Sequence, residues 1–265
     1  MTYLFDRETA LIPCGGDHYT FEASDVYRNP TGAAFGGWVA AIMARAVENH
    51  EQRQSPIVSM QATYIAGVGP GEVNVDAKLL KAGASTQFWR VELTQAGNLA
   101  IVADIVTSNR RPVELNYQIE MPKVPAPEEN PKLEPLTGQS PGWMPAYDQR
   151  IAKGVPFQIN DTPDSIVWIK EADGRPLDRI SITSICDVPM PRTFFLSNEF
   201  HPGSTVAMST YIFASEEDIA AAGSDYLIMR VTGAVVRNSK CDSRVELWAR
   251  NGTLLATSNQ IGFFR

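Results

Sequence analysis

The sequence predicts an α+β fold made of two tandem units, each an antiparallel sheet wrapped around a central helix. Three observations predict it. The motif RVEL occurs twice, roughly 150 residues apart. Apolar and polar residues alternate through several segments, and one alanine-rich stretch spaces its apolar residues as a helix does.

The repeat predicts an internal duplication. RVEL stands at residues 90–93 and 244–247, and each copy leads into a glycine-centred turn and a further strand-like segment. Asn251 and Gly252 in the second copy are typical of a hairpin turn, because both residue types accept a positive φ. Another motif, TYI, precedes each copy, at 63–65 and 210–212. Within RVEL, apolar and charged residues alternate as in a half-buried strand.

A helix is predicted in each unit. Residues 35–49, FGGWVAAIMARAVEN, repeat apolar side chains at helical intervals, are rich in alanine and carry no charge before Arg45. A helix with so little charge needs burial on most of its faces. The second helix is predicted at 177–187, before Pro189 and Pro191, which cannot continue it.

These elements predict the domain boundaries. We expect the first unit at residues 1–110 and the second at 157–265. The intervening residues 111–156 are rich in proline and lack hydrophobic periodicity, which predicts a long connection laid over a surface.

Composition argues against several classes of protein. A formal net charge of -7 without a basic cluster argues against nucleic acid as a partner. The three cysteines are widely spaced, which favours neither a disulfide framework nor a zinc site. No run approaches the roughly 20 apolar residues that span a bilayer, and the acidic amino terminus is unlike a signal peptide. We therefore expect a cytoplasmic protein with no membrane partner.

Helix followed by strands, twice, with Phe-Gly-Gly opening the first helix, resembles the hotdog fold, and specifically the acyl-CoA thioesterase II family of fused double hotdogs. The likeness extends over most of the chain. Its most specific part is RVELWARNGTLLATSNQIGFFR, which is similar to the last hairpin of that family. There a strand carries a glutamine and ends in glycine, two apolar residues and arginine.

This resemblance implies an acyl-CoA thioesterase, a thioester hydrolase of lipid metabolism that uses an Asp, a Ser or Thr, and a Gln to activate water. Asp187, Thr205 and Gln260 match these three catalytic positions. A carboxylate can accept the proton of the water, and a hydroxyl and an amide can orient it.

Other residues near Thr205 leave the source of the hydroxyl open. Ala207 stands where family members often carry an acidic residue. Three neighbouring side chains are alternative sources of the hydroxyl: Ser204, Ser209 and Thr210.

The start of the first predicted helix is a candidate substrate-binding site. Its N–H groups have no partner within the helix, and Gly36 and Gly37 would let a thioester carbonyl approach them. The same glycines equally fit a structural role in tight packing. We expect no metal and no organic cofactor. The expected partners are a small-molecule acyl-CoA and, at most, further copies of the chain in a homo-oligomer.

The duplication provides an internal comparison. Alignment of the RVEL hairpins places Ile105 at the position of Gln260, and alignment of TYI places Val58 at that of Thr205. The polar residues then occur in the second unit alone. This asymmetry indicates that the second unit is catalytic, while the first serves as scaffold and pocket wall.

Two other functions fit the same pattern. A hotdog hydratase or dehydratase would add or remove water across a carbon–carbon bond, and RNPTG at 28–32 is similar to the start of a hydratase motif, yet the expected His and Asp do not follow. A non-catalytic acyl-thioester binding protein would hold the ligand without cleaving it.

Overall fold

The computed structural model describes residues 2–111, 113–134 and 140–265. Its contacts divide the chain into two compact units. The first comprises the described parts of 1–111, 135–146 and 178–187, and the second those of 112–134, 147–177 and 188–265.

The first unit contains a sheet, a long helix and shorter helices. Its elements are α1 (Leu4–Glu8), β1 (Ile12–Gly15), β2 (His18–Glu22), α2 (Gly36–Glu48), β3 (Ile57–Tyr64), β4 (Glu72–Ala82), β5 (Thr86–Gln95), β6 (Asn98–Ser108), a 3-10 turn (Met144–Ala146) and α3 (Arg179–Ile185). The strands are antiparallel in the order β1-β2-β4-β5-β6-β3.

Helix α2 lies against this sheet, in contact with β3, β4 and β5 and with α3. Its 13 residues are almost all buried. Ala40, Ala41 and Ala44 are fully buried, and such small side chains let the helix axis approach its neighbours closely. The nearly uncharged helix thus has the burial that its composition predicts.

The second unit is built around its own set of antiparallel strands, which we call the second sheet. Its elements are β7 (Tyr147–Lys153), β8 (Ser165–Glu171), β9 (Gly203–Ile212), α4 (Glu216–Ala222), β10 (Leu227–Thr232), β11 (Val236–Arg237), β12 (Lys240–Ala249) and β13 (Leu254–Phe264), with 3-10 turns at Pro127–Glu129 and Arg192–Phe195. The strand order is β9-β13-β12-β10-β8-β7, and β11 pairs with β12.

The two sheets share one strand order. Strands β1, β2, β4, β5, β6 and β3 correspond in sequence and position to β7, β8, β10, β12, β13 and β9. Helix α2 stands between β2 and β3 in the chain, and α3 stands between β8 and β9. Both RVEL copies lie in equivalent strands, β5 and β12.

The second motif is out of structural register by one residue. From the valine of RVEL, two successive strand pairings lead to Ala62 in the first unit and to Thr210 in the second. The counterpart of Thr210 is therefore Ala62 and not Thr63. The TYI identity does not mark equivalent positions.

A β-bulge lies at equivalent positions in the two units and corrects a further prediction. Val58 in β3 and Val206 in β9 are each the extra residue of a bulge. The structural counterpart of Thr205 is consequently Ile57, and the predicted counterpart, Val58, is wrong by one residue. Ile57 is buried, so the contrast between polar and apolar positions persists.

The unit boundaries of the structure differ from the predicted ones, and the predicted connection is divided between the two units. Strand β7 lies inside the predicted connection at 111–156, where buried Tyr147 and Gln149 alternate with partly exposed residues. A buried glutamine hides this alternation from a search for apolar residues. Helix α3, predicted as the helix of the second unit, belongs by its contacts to the first compact unit.

Within the described ranges, every helix is too short or too polar to span a bilayer.

Candidate active site

Thr205 and Gln260 meet on adjacent strands of the second sheet. The Thr205 hydroxyl donates a hydrogen bond to Gln260 Oε1 at 3.0 Å. The bulge at Val206 makes this possible, because it pairs Thr205 with Gly262 while Gln260 pairs with Met208. In a regular strand Thr205 would face the other side of the sheet.

This hydrogen bond sets the direction of the Gln260 amide. Its oxygen accepts the Thr205 proton, so its nitrogen, with two N–H donors, points elsewhere. Gln260 is half-buried. A fixed, partly shielded N–H donor is a group that can stabilise a developing negative charge.

The alternative hydroxyls have other surroundings. Ser204 is exposed, and Ser209 pairs with the exposed Asn259, on the face opposite to Gln260. Thr210 is buried, and its hydroxyl bonds to Ser258 at 3.5 Å. Among these hydroxyls, the one hydrogen-bonded to Gln260 is that of Thr205.

Asp187 lies in the first compact unit, just after α3. Its N–H donates to the Ser184 carbonyl at 3.0 Å, and the residue is 9% exposed. The carboxylate lies against the first turn of α2, since a Cβ on Gly36 would stand 2.8 Å from Asp187 Oδ2. The structure thus brings Asp187 to the predicted substrate-binding glycines.

The first turn of α2 carries N–H groups that precede the first intrahelical bond, from Val39 N to Phe35 O at 3.1 Å. The side chain of the N-cap residue, Phe35, makes no capping hydrogen bond. A Cβ on Gly37 would stand 2.5 Å from the Ser184 carbonyl oxygen. Glycine is therefore required for the close approach of α2 and α3.

Tyr64 lies beside the candidate site, and the sequence alone does not point to it. Its hydroxyl donates to the Gly36 carbonyl at 3.1 Å. Burial, and next the charge of the Asp187 carboxylate, raise the pKa of Tyr64 well above its ordinary value. The hydroxyl consequently stays protonated and acts as a fixed donor. Tyr64 stands in the TYI motif, whose repetition indicates a duplication and does not by itself indicate a site.

Trp143, within the predicted connection, packs beside the same turn. Its ring stacks on Phe35 with the ring centroids 4.3 Å apart, and its Nε1 donates to Asn29 Oδ1 at 3.0 Å. Phe35 immediately precedes Gly36. Trp143 therefore helps to fix Phe35, the residue just before the first turn of α2.

The Cys186 and Cys241 thiols are poor nucleophiles. Burial raises the pKa of Cys186 to about 12, and the neighbouring Asp187 carboxylate adds to the effect. Burial also raises the pKa of Cys241, although the Arg192 guanidinium opposes it. Since the thiolate is the reactive form, neither residue favours a covalent thioester mechanism.

The second unit contains a small cavity among its described residues, and metal-binding clusters are absent from the described ranges. The second unit holds a cavity of about 20 Å³, room for about one water, lined mainly by apolar side chains and by the buried Arg192. Among residues 2–111, 113–134 and 140–265, no cluster of three or more His, Cys, Asp or Glu side chains could hold a metal ion.

The structure brings Thr205 together with Gln260, and Asp187 together with Gly36 and Gly37. The first pair belongs to the second compact unit, and Asp187 with the glycines belongs to the first. Joint action of Asp187 with Thr205 and Gln260 stays a prediction.

The raised thiol pKa predicts a loss of stability at high pH. Between pH 9 and 12 the folded protein holds the Cys186 proton that the unfolded chain releases, so the free energy of unfolding falls as pH rises, by at most about 1.4 kcal/mol per pH unit. Below pH 9 this thiol contributes no pH dependence. Urea denaturation at pH values from 7 to 10.5 measures the free energy of unfolding.

The decline in the free energy of unfolding should be smaller in Cys186→Ala. It should be unchanged in the control Cys14→Ala, because Cys14 is an exposed cysteine. Equal slopes in all three proteins would contradict the assignment.

Several solved structures resemble the whole chain. A conserved protein of unknown function with hot dog fold from Alicyclobacillus acidocaldarius is 26% identical, with a TM-score of 0.94 over 100% of this chain and 99% of that one. A tesB protein from Mycobacterium avium subspecies paratuberculosis is 16% identical, with a TM-score of 0.80 over 98% of each chain. An acyl-CoA thioesterase II, TesB2, from Mycobacterium marinum is 15% identical, with a TM-score of 0.76 over 98% of this chain and 96% of that one. These likenesses show that the chain has a hotdog fold.

No curated protein sequence matches the chain. Family models do match it. Residues 25–108 match the acyl-CoA thioesterase N-terminal domain, and residues 120–264 match the acyl-CoA thioesterase C-terminal domain. Since the second match alone covers more than half of the sequence, this protein belongs to the acyl-CoA thioesterase family.

Proposed function

We propose that this protein hydrolyses acyl-CoA thioesters to the free acid and CoA, with a water that Asp187, Thr205 and Gln260 hold and activate. Family membership supports the reaction class. The observation that carries the residue assignment is the 3.0 Å hydrogen bond from Thr205 to Gln260, because it fixes a donor within a partly buried site.

Asp187 is the proposed general base. Its carboxylate is largely shielded from solvent, a setting in which a carboxylate can be tuned to accept a proton. The proton of the water passes to Asp187 as the water oxygen bonds to the thioester carbon. The carbon–sulfur bond then breaks, and the CoA sulfur leaves as the thiolate and takes up a proton.

Gln260 is proposed to donate a hydrogen bond to the thioester carbonyl oxygen, on which negative charge develops as the water attacks. Thr205 acts through Gln260, since the hydroxyl holds the amide oxygen and thereby aims the amide nitrogen. Donors that are already oriented need no reorganisation as charge develops, and removal of one such donor typically costs about 100-fold or more in rate.

Gly36 and Gly37 are the proposed substrate-binding residues. Helix α2 has 13 residues, and its first turn presents backbone N–H groups with the positive end of the helix dipole. A thioester carbonyl against this turn would be polarised toward attack. The buried Tyr64 hydroxyl holds the Gly36 carbonyl and so stabilises the orientation of the adjoining peptide.

A double-hotdog arrangement, with a catalytic second unit, is part of the proposal. The shared strand order of the two sheets and the two domain matches support the duplication. The first unit carries the buried Ile57 and Ile105 at the positions of Thr205 and Gln260. An apolar pair at these positions cannot orient water, so the water-orienting groups, Thr205 and Gln260, are assigned to the second unit, while Asp187 belongs by its contacts to the first.

We place the protein in the cytoplasm, with an acyl-CoA as its small-molecule substrate in lipid metabolism. Three cysteines without a disulfide among them suit a reducing compartment.

Removal of the base and of the donor tests the proposal. We expect Asp187→Asn and Gln260→Ala each to lower kcat by about 100-fold or more, because each loses a group that acts in the transition state. Release of free thiol from acyl-CoAs of increasing chain length measures the rate. Asn259→Ala is the matched control, because Asn259 is exposed beside Gln260 and faces the other side of the sheet.

Other outcomes would contradict the assignment in different ways. Wild-type rates in both variants would remove these residues from the mechanism. Modified acyl-CoA without free thiol would indicate a hydratase, and binding without turnover would indicate a binding protein.

The Tyr64 hydroxyl should affect the rate and not the fold. We expect Tyr64→Phe to lower kcat roughly fivefold to tenfold with little change in KM, because it removes a single hydrogen bond of about 1 kcal/mol that holds the first turn of α2. Steady-state kinetics and thermal unfolding measure both effects. Tyr211→Phe is the control, since this tyrosine of the second TYI motif is 38% exposed. Equal kcat values in wild type and Tyr64→Phe would refute the role.

A further inference from the structure

Ser243 lies directly opposite Gln260 in the antiparallel pair β12–β13. Paired residues point to the same face of a sheet, with Cβ atoms about 4.5–5.5 Å apart. Ser243, Val245 and Leu247 alternate on this face, which we call the Leu247 face, and all three are buried. The Ser243 hydroxyl and the Gln260 amide are therefore neighbours on the Leu247 face.

The Ser243 hydroxyl is buried, with no hydrogen-bond partner among the described residues. An unpaired buried hydroxyl destabilises a protein, so a serine at such a place needs a reason. The Gln260 amide, which lies opposite Ser243, provides such a reason. Thr205 engages its oxygen, and the nitrogen carries two N–H donors.

In the first unit, a large apolar residue occupies the position equivalent to Ser243. The counterpart of Ser243 by the RVEL register is Trp89, which pairs with Ile105 as Ser243 pairs with Gln260. Trp89 and Ile105 are both buried. The second unit has thus exchanged two large apolar side chains for a serine and a glutamine in direct register.

We propose that Ser243 is a positioning residue for the Gln260 amide, an inference that rests on the proposed function. In the active protein the Ser243 oxygen accepts one N–H of Gln260, while Thr205 donates to the amide oxygen. The amide is then held at both ends and cannot flip, and its second N–H is aimed at the thioester oxygen. The strand register already sets the two side chains opposite each other, so side-chain rotation suffices to form the bond.

Ser243→Ala, made in the wild-type protein and in Gln260→Ala, tests this role. In the wild-type background we expect kcat to fall about tenfold with KM unchanged, and Tm to fall by roughly 2–4 °C. In Gln260→Ala the same substitution should leave kcat unchanged and should not lower Tm, because the hydroxyl has already lost its partner. Ser258→Ala is the control, since Ser258 is a buried serine on the same face, opposite Val245. Its kcat should equal that of wild type.

Three results would overturn the inference. They are a wild-type kcat in Ser243→Ala, an equal loss in both backgrounds, and a Tm that rises in Ser243→Ala, as expected for removal of an unpaired hydroxyl. Failure of the proposed function is distinguishable. Wild-type protein would then release no thiol, whereas the Tm difference between the two backgrounds would still report whether Ser243 and Gln260 are bonded.

Discussion

One irregularity in the second sheet, the β-bulge at Val206, decides which side chains share a face with Gln260. The extra residue turns Thr205 to the side on which Gln260 lies, and the hydroxyl then donates to the amide oxygen at 3.0 Å. Bulges commonly redirect side chains next to functional sites. Without it the strand would present Thr205 to the opposite side, and the Gln260 amide would lose the contact that orients it.

The bulge itself is not specific to the proposed catalytic unit. The first unit has one at Val58, and both sheets have the same strand order. The units differ in what occupies the redirected positions. In the first, large buried apolar side chains fill them, namely Ile57, Ile105 and Trp89. In the second, Thr205, Gln260 and Ser243 stand there. The same strand arrangement thus carries a packed apolar core in one unit and a polar cluster in the other. The polar cluster buries less apolar surface than the side chains at the equivalent positions of the first unit.

Much of the architecture is predictable from the sequence, and the failures have physical causes. Both helices, the RVEL strands and the pairing of Thr205 with Gln260 follow from periodicity and resemblance. Strand β7 does not, because a buried glutamine interrupts its apolar pattern. A three-residue identity does not fix strand register, so the TYI motifs align in sequence but lie one residue apart in the paired strands. Ser243 and Tyr64 gain their roles from a cross-strand neighbour and from a helix terminus distant in the chain, which no local pattern reveals.

A double-mutant cycle between Thr205 and Gln260 tests most directly whether the threonine acts through the amide. The quantities to measure are the kcat/KM values for acyl-CoA hydrolysis of Thr205→Val, Gln260→Ala and the double variant. If Thr205 serves only to orient Gln260, the double variant should be as active as Gln260→Ala alone, within about threefold. If the two single losses instead multiply in the double variant, the residues act independently, and the hydrogen bond between them is not the basis of the site.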